Sequence, residues 1–428
     1  MISLKLNRPG NRRGLHLLAA IATLGALLPG CGGGSGSGGS QQAATKAKWT
    51  VLVYMNAAND LQPFAAPNVN DMEVVGSTSD MNVVLEWQQA SCSTCGTPDW
   101  TGTRRYYITK DNDTSTVHSQ VVQDLGSTVD TGNWQELKSF IQWGQLKYPA
   151  DHYAVVLWDH GSGWLNFRAV KNLTRAQNPR SVSFNYATGT EIRTWELPEA
   201  LNVSPKMELV VFDASLLQQM EVDYEIRNST SFIVGSEESP PGRGYIYNTF
   251  LADLAATPTM SAQQFGAQIV NRTINQYSLY DNDPFDLADL TQSEIDTSKL
   301  QNLADKLNAF AVSLNNHRVD SATLEASARS NAKNYAAAEG YAEYKDLWDY
   351  VDGIKNASGA PSDLVQAATD VQTALTAAVL AEGHSTQEAG SHGLTIDVPT
   401  ASQFTTSYNN LAFAKATFWP QWLVNQTR

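Results

Sequence analysis

Two short segments hold residue types that suit nucleophilic catalysis. In Asp159-His160-Gly161-Ser162-Gly163, a histidine that could act as a general base precedes glycines that let the backbone turn sharply. In Phe212-Asp213-Ala214-Ser215, a small polar residue lies at a predicted strand-to-helix junction, where backbone amides could stabilise a nucleophile or an oxyanion. The structural alternatives are a histidine satisfied in a loop and a serine that caps the helix.

Buried strands are predicted directly before both segments. Apolar runs rich in β-forming residues predict three strands, at Trp49–Met55, Tyr153–Trp158 and Glu208–Phe212. Amphipathic patterns predict helices at Trp134–Leu146 and Leu217–Arg227. This alternation predicts an open, mostly parallel α/β sheet flanked by helices. Ligands bind beyond the carboxyl ends of the strands in such sheets, and His160 and Ser215 fall there.

The remaining elements suggest a sheet domain followed by a mainly helical region. Further strand patterns lie at Asn82–Trp87, Thr103–Ile108 and Ser231–Gly235. Helical patterns past Ser298 lie at Lys299–Leu314, Ala336–Lys355 and Ser362–Leu380. One extended piece, Gly393–Val398, is predicted to return to the sheet or its edge. We therefore expect a sheet domain over residues 48–297 and a mainly helical region with one returning strand over residues 298–428.

The N-terminus has the pattern of an export signal. Basic residues and then an apolar run predict a signal peptide over residues 1–30, which ends in Leu28-Pro29-Gly30-Cys31. This resembles a lipobox, so Cys31 is the expected lipidated N-terminus, followed by a glycine- and serine-rich tether to residue 47. Because Pro29 departs from the usual small residue, an ordinary signal cleavage nearby is the alternative. Either way we expect an exported protein, in the first case lipid-anchored to the bacterial cell envelope.

Charge and cysteine content narrow the possible partners. The formal net charge is −14 and no basic stripe is present, which argues against nucleic-acid binding. Cys92 and Cys95 are spaced as C-x-x-C, and in an oxidising compartment a local disulfide is the favoured interpretation. A redox-active pair and a zinc site are weaker alternatives, because neither a helix N-terminus nor further zinc ligands are evident. No metal or cofactor is expected from the residues alone.

Ordered motifs along most of the chain resemble those of the clostripain family of cysteine peptidases. The matching segments are Trp49–Asn56 with Asp60, His160–Trp164, Asp213–Leu217, Ser236–Tyr245 and Gly393–Pro399. The resemblance implies a caspase-like fold, a cysteine-histidine dyad, peptide or protein substrates and cleavage after arginine or lysine. His160 matches the histidine, whereas Ser215 stands where the family has cysteine. The implied oxyanion donors are the backbone amides near Gly161 and Ser215.

Because Ser215 stands in place of the catalytic cysteine, it determines how much of the family's peptidase activity we expect in this chain. A hydroxyl is a far weaker acid than a thiol, and needs a bonded base and a group that orients that base. Asp159 is a poor candidate for this group, since adjacent strand residues point to opposite faces. We therefore favour impaired catalysis. The alternatives are an active serine variant, a non-catalytic surface lipoprotein that binds peptides or proteins, and a serine introduced deliberately to trap an inactive form.

Three further residues bear on substrate binding. The Asp213 carboxylate could hold a cationic substrate side chain, or could instead bond backbone amides at the strand end. Glu237 and Arg243 lie in the loop that the resemblance assigns to the cleft, where Arg243 would repel a basic side chain. The preference for arginine or lysine is therefore in doubt.

Two segments suggest properties that some family members have. The polar stretch Leu165–Arg193 is a candidate for self-cleavage on maturation, and without the cysteine we expect it to stay intact; an ordinary exposed loop is the alternative. The resemblance makes calcium binding a candidate property of the acidic residues Asp281, Asp283, Asp286 and Asp289. Their spacing lacks the features of an EF-hand, so a solvated acidic loop is favoured.

Overall fold

The apolar runs form the centre of a large mixed sheet. A computed structural model of the protein describes residues 46–166, 180–277, 290–335 and 343–426. Its strands are β1 (Ala47–Ala57), β2 (Met81–Gln89), β3 (Gly102–Tyr107), β4 (Gln120–Gly126), β5 (Ala150–Trp158), β6 (Gly161–Asn166), β7 (Arg180–Asn185), β8 (Thr190–Ile192), β9 (Leu209–Asp213), β10 (Phe232–Gly235), β11 (Thr291–Asp296), β12 (Tyr344–Asp346), β13 (Val379–His384) and β14 (Thr395–Asp397).

The α-helices pack around this sheet and build most of the C-terminal region. They are α1 (Gln62–Val75), α2 (Trp134–Lys147), α3 (Leu197–Ala200), α4 (Met220–Ile226), α5 (Tyr247–Ala256), α6 (Ala262–Tyr277), α7 (Leu300–Asn316), α8 (Ala322–Asn331), α9 (Leu347–Lys355), α10 (Ser362–Ala378), α11 (Ala412–Ala416) and α12 (Trp419–Asn425). Among the described residues, no helix is both long and apolar enough to cross a bilayer.

The main sheet has a parallel centre and antiparallel flanks. Its strand order within the described residues is β13-β11-β10-β9-β5-β1-β2-β3-β4. Strands β10, β9, β5, β1 and β2 run parallel to one another. Strands β3 and β4 on one side and β11 and β13 on the other are antiparallel. The predicted mostly parallel sheet with flanking helices is confirmed.

Side-chain alternation along β1 builds a core on each face of the sheet. Val51 and Val53 lie in one buried cluster, with residues of α1, α5 and α6. Leu52 and Tyr54 lie in the other cluster, with residues of α2 and the C-terminal helices. Because both faces of the strand are covered, β1 reads as a continuous apolar run rather than an alternating one. The site strands β5 and β9 are fixed in the same way.

The C-terminal region departs from its predicted elements in three places. In the predicted helix Ala336–Lys355, Tyr344–Asp346 form a strand and α9 begins at Leu347, with the Asp346 side chain accepting a hydrogen bond from Asp349 N. The predicted helix Ser362–Leu380 ends at Ala378, and the next residues form β13, which joins the main sheet beside β11.

The predicted returning strand also pairs differently. Within Gly393–Val398 only Thr395–Asp397 form a strand, and it pairs with β12 in a separate two-stranded sheet. It is joined to the site elements by a parallel bridge between Gln219 and Thr395 and by hydrogen bonds, among them one of 2.8 Å from Trp164 Nε1 to Asp397 Oδ2. These pairings join residues far apart in the chain, which local pattern does not reveal.

Part of the predicted linker after His160 forms a small sheet. Strands β6, β7 and β8 form a three-stranded sheet, so the exposed-loop interpretation is wrong for the buried residues 181–185, whereas the turn at residues 187–189 is exposed. Val182 and Phe184 of β7 are buried in it. The basic positions Lys171 and Arg175 lie outside the described residues, so their part in maturation stays a prediction. Residues 44–428 form one compact unit, and the proposed division at residues 297 and 298 stays a prediction as well.

Candidate active site

Two neighbouring parallel strands bring the histidine and serine segments together. Strands β5 and β9 pair in register, with Trp158 opposite Asp213. Both strands end at this level, so the residues that follow leave the same edge of the sheet. His160 lies two residues beyond Trp158, and Ser215 lies two residues beyond Asp213. The rule that ligands bind beyond the carboxyl ends of parallel strands therefore placed His160 and Ser215 at the correct edge of the sheet.

The glycines after His160 allow the two strand-end turns to touch. A Cβ on Gly161 would lie 2.3 Å from the Ser215 carbonyl oxygen. Gly163 has φ +66°, and a Cβ there would lie 2.6 Å from Gln219 Oε1. That oxygen accepts a hydrogen bond of 2.8 Å from the Trp164 backbone amide. Residues with side chains would force the turns apart.

His160 is oriented by a carboxylate from a third strand end. Its Nε2 lies 2.7 Å from Asp60 Oδ1, and its ring stacks on Tyr186 with centroids 6.1 Å apart. Asp60 follows β1, the strand beside β5. Burial raises the pKa of Asp60, but hydrogen bonds from His160 and Tyr186 and the His160 charge outweigh it, so the pKa lies below its ordinary value. Asp60 is therefore an anion that fixes the ring.

Sequence reasoning missed this carboxylate role, since it noted Asp60 only within a motif. The available signal was its place shortly after the first predicted strand, Trp49–Met55. Asp159, considered as the orienting group, instead accepts hydrogen bonds from the side chain of Asn59 and the backbone amides of His160 and Phe184. Its carboxylate is buried, which raises its pKa to about 8. As strand alternation predicted, it supports the backbone and not the imidazole.

Ser215 lies in a tight turn and not at a helix N-terminus. Helix α4 begins at Met220 with Gln219 as its N-cap, so the expected dipole contribution and the capping alternative are both wrong. Leu216, directly after the serine, has φ +62°, a left-handed conformation that is rare for leucine. This strained turn changes the direction of the chain between β9 and α4. Among the described residues, no hydrogen bond joins the Ser215 hydroxyl to His160, whose Nε2 is held by Asp60.

Asp213 is buried and bonded to the loop that crosses it. Its carboxylate accepts hydrogen bonds from Tyr245 N, at 3.1 and 3.2 Å, and from the Tyr247 hydroxyl, at 2.7 Å. The residue is 4% exposed, and burial raises the pKa of its carboxyl to about 7. This geometry matches the interpretation of a strand-end carboxylate that bonds backbone amides.

Glu237 and Arg243 are also engaged by neighbouring elements. Glu237 is buried and accepts a 2.9 Å hydrogen bond from Gly393 N, and burial together with the nearby Asp346 charge raises its pKa well above the ordinary value. Arg243 contacts Asp71 of α1, with Nη2 and Oδ2 3.4 Å apart. Both residues thus join the loop 236–245 to the body beside the Asp213 end of the site.

The other predicted sites are a cysteine pair that the structure describes and several residues outside the described ranges. Cys92 and Cys95 are joined by a disulfide, with their Cα atoms 4.9 Å apart. Cys31 and the acidic residues Asp281, Asp283, Asp286 and Asp289 lie outside the described residues. Within the described ranges, no three His, Cys, Asp or Glu side chains are grouped to hold a metal ion. Calcium binding therefore stays a prediction.

The buried carboxyls beneath the site predict a stability that falls with pH. A carboxyl whose pKa is raised from 3.8 in the unfolded chain to about 7 on folding stabilises the protein fully below pH 4 and loses this effect as the pH rises toward 7. One such group changes the free energy of unfolding by up to about 1.4 kcal/mol per pH unit. Asp213→Asn should make the slope of unfolding free energy between pH 5 and pH 8 shallower, measured by urea denaturation.

The exposed Asp320 offers a matched control. Asp320→Asn should leave the pH slope unchanged. A slope that is the same in Asp213→Asn and the parent protein would contradict a buried, titrating Asp213.

The fold agrees with comparisons to known proteins. The clostripain family model, which describes C11 peptidases, matches residues 53–425. A secreted C11 cysteine protease from Bacteroides thetaiotaomicron, solved with an irreversible peptide inhibitor, is 20% identical, with a TM-score of 0.65 over 88% of this chain and 99% of that one. An inactive zymogen C11 protease from Parabacteroides distasonis is 19% identical, with a TM-score of 0.62 over 87% of this chain and 99% of that one.

No curated protein sequence matches this chain. At these identities the structural likeness establishes a shared fold, and the family model adds the sequence pattern over most of the chain. This chain therefore belongs to the clostripain family.

Proposed function

We propose that this chain is a cell-envelope homologue of the clostripain peptidases, with His160 as the base, Ser215 at the nucleophile position and impaired catalysis. The observation that carries the proposal is the backbone contact between the two strand-end turns, in which a Cβ on Gly161 would lie 2.3 Å from the Ser215 carbonyl oxygen. Contact of this kind keeps a base and a nucleophile at one edge of the sheet.

Each residue has a definite role in this proposal. A nucleophile at position 215 would attack the carbonyl carbon of a peptide bond while His160 takes its proton and then gives it to the leaving amine. Backbone amides near Gly161 and Ser215 would donate to the oxyanion. Because the Asp60 carboxylate accepts from Nε2, the neutral imidazole carries its proton there and has its lone pair on Nδ1. Asp60 is thus the orienting group of the base.

Serine at position 215 weakens the first step of this mechanism, the attack of the nucleophile on the peptide carbonyl carbon. A thiol has a pKa near 8.5 and is partly ionised at neutral pH, whereas a hydroxyl needs a base already bonded to it. Within the described residues, Ser215 has no such bond to His160. The proposal is therefore a site with its base oriented and its nucleophile under-activated.

The clostripain family acts on peptides or proteins, and we propose the same class of ligand here. The Asp213 carboxylate already accepts hydrogen bonds from Tyr245 and Tyr247. We therefore propose that it supports the cleft loop and does not hold an arginine or lysine side chain of the substrate. Arg243 beside Asp71 supports the same loop from α1. A preference for basic residues would then need a carboxylate from elsewhere.

Two alternatives each have one supporting observation. A non-catalytic peptide-binding lipoprotein is supported by the missing hydrogen bond between Ser215 and His160 in the described structure. An active serine variant is supported by the Asp60 contact, which supplies the third group that a serine site needs.

The exchange Ser215→Cys tests the proposal. If the base and oxyanion donors are retained, the thiol should raise kcat/KM on peptides at least about 100-fold over the parent protein, because only the nucleophile is weak. A peptide panel that varies the residue before the cleaved bond measures this. His160→Ala in the cysteine variant should abolish the gain, and Asp320→Asn should not change it.

The opposite results are equally clear. Strong cleavage by the parent protein that is lost in His160→Ala would identify an active serine peptidase. If neither form cleaves yet both bind peptides, the site is a binding cleft and the proposed peptidase geometry is wrong.

We also propose export and a lipid anchor at Cys31. The lipobox-like sequence supports both, and the relative from Bacteroides thetaiotaomicron, which is described as secreted, supports export alone. Cys31→Ala should move the protein from the membrane to the soluble fraction of bacterial cells, measured by fractionation and immunoblotting. A Cys31→Ala protein that stays in the membrane fraction would contradict the anchor.

A further inference from the structure

A second cavity lies in the C-terminal region, lined by none of the residues assigned to the candidate active site. Its volume is about 760 Å³, within the usual range for small-molecule pockets. Its apolar wall includes Leu314, Ala322 and Trp422, and Lys345 and Glu343 add charged groups. The combination of an apolar wall and a few charged groups is typical of a site for a small organic ligand.

Lys345 is the unusual residue of this cavity. It is 6% exposed, yet within the described residues its ammonium has neither a hydrogen-bond acceptor nor a carboxylate in an ion pair. Burial lowers its pKa, although the Glu343 charge opposes this. The Lys345 ammonium is not among the side-chain nitrogens that are shut off from solvent, so the buried part of the residue is its stem and the charged end opens to the cavity.

The two carboxylates of the cavity already have partners. Glu325 binds Arg329 through two hydrogen bonds, of 3.1 and 2.6 Å. Glu343 accepts a hydrogen bond of 2.9 Å from Gln403. Among the cations that line the cavity, Arg329 is paired with Glu325, whereas Lys345 and Arg318 have no carboxylate partner within the described residues, so the cavity has an excess of positive charge.

The strand that carries Lys345 also touches the candidate active site from its other face. Tyr344 precedes Lys345 on β12, and its hydroxyl donates to the Ser162 carbonyl oxygen at 2.9 Å. Neighbouring strand residues point to opposite faces, so Lys345 points away from that contact and toward the cavity.

We propose that this cavity binds a small organic carboxylate with an apolar body, with Lys345 as its counter-ion and Trp422 against its apolar part. The excess positive charge of the cavity matches a carboxylate, and the apolar wall matches a hydrocarbon or aromatic body. This site is separate from the Ser215 cleft, and its test does not depend on peptidase activity.

N-acetyl-leucine and its neutral amide are matched probes that differ in one charge. Calorimetric titration of the full chain should detect N-acetyl-leucine with at least 10-fold tighter binding than the amide. Lys345→Met, which keeps the apolar stem, should weaken acid binding at least 10-fold, whereas Lys306→Met, on the exposed side of α7, should not. Equal binding of acid and amide, or full affinity in Lys345→Met, would overturn the proposal.

A second measurement uses only the parent protein, so it tests the proposal even if Lys345→Met does not fold. Acetic anhydride at pH 8 labels accessible amines, and mass spectrometry reports each lysine separately. N-acetyl-leucine at 10-fold above its measured Kd should reduce labelling of Lys345 at least 5-fold while Lys306 stays unchanged. No detectable binding in the titration, or no protection of Lys345, would mean that the cavity holds an unpaired amine and no carboxylate ligand.

Discussion

The site depends on the in-register pairing of two parallel strands. Since Trp158 of β5 lies opposite Asp213 of β9, the histidine and serine turns leave the sheet at one level. Gly161 then lets the histidine turn approach the Ser215 carbonyl oxygen more closely than any residue with a side chain could. A shift of either strand by one residue would reverse every side chain on it and separate the two groups. The buried cores on both faces of the sheet hold this register.

Around these turns, buried carboxyls act as structural supports. Asp159 ties the end of β5 to Phe184 of β7, and Asp213 ties the end of β9 to Tyr245 in the following loop. Burial raises the pKa of both carboxyls, to about 8 for Asp159 and about 7 for Asp213, so both exchange protons near neutral pH. Asp60 differs because its pKa is lowered, and it is the carboxylate that contacts the imidazole. The burial and hydrogen-bond partners of each carboxyl thus determine its role: Asp159 and Asp213 support the backbone, whereas Asp60 orients the imidazole.

Local sequence signals predicted the strands and the strand-end position of the site. The strong apolar runs identified β1, β5 and β9, because strands covered on both faces have a distinctive pattern. Sequence could not predict the contact between Asp60 and His160, which joins residues 100 positions apart. It also placed the start of α4 too early, since the left-handed Leu216 and the extended Gln219 are set by tertiary contacts. For the same reason the short strand β12 was missed, and the predicted returning strand, which contains β14, was given the wrong partner.

The central claim is that His160 and position 215 act as one unit, and the thiol pKa of Ser215→Cys tests it most directly. The rate of iodoacetamide alkylation at position 215, followed by peptide mass spectrometry across pH 4–10, gives this pKa. We predict a value at least one unit below the ordinary 8.5, which returns toward 8.5 in the Ser215→Cys, His160→Ala double variant. A thiol pKa near 8.5 that does not respond to His160→Ala would contradict the account.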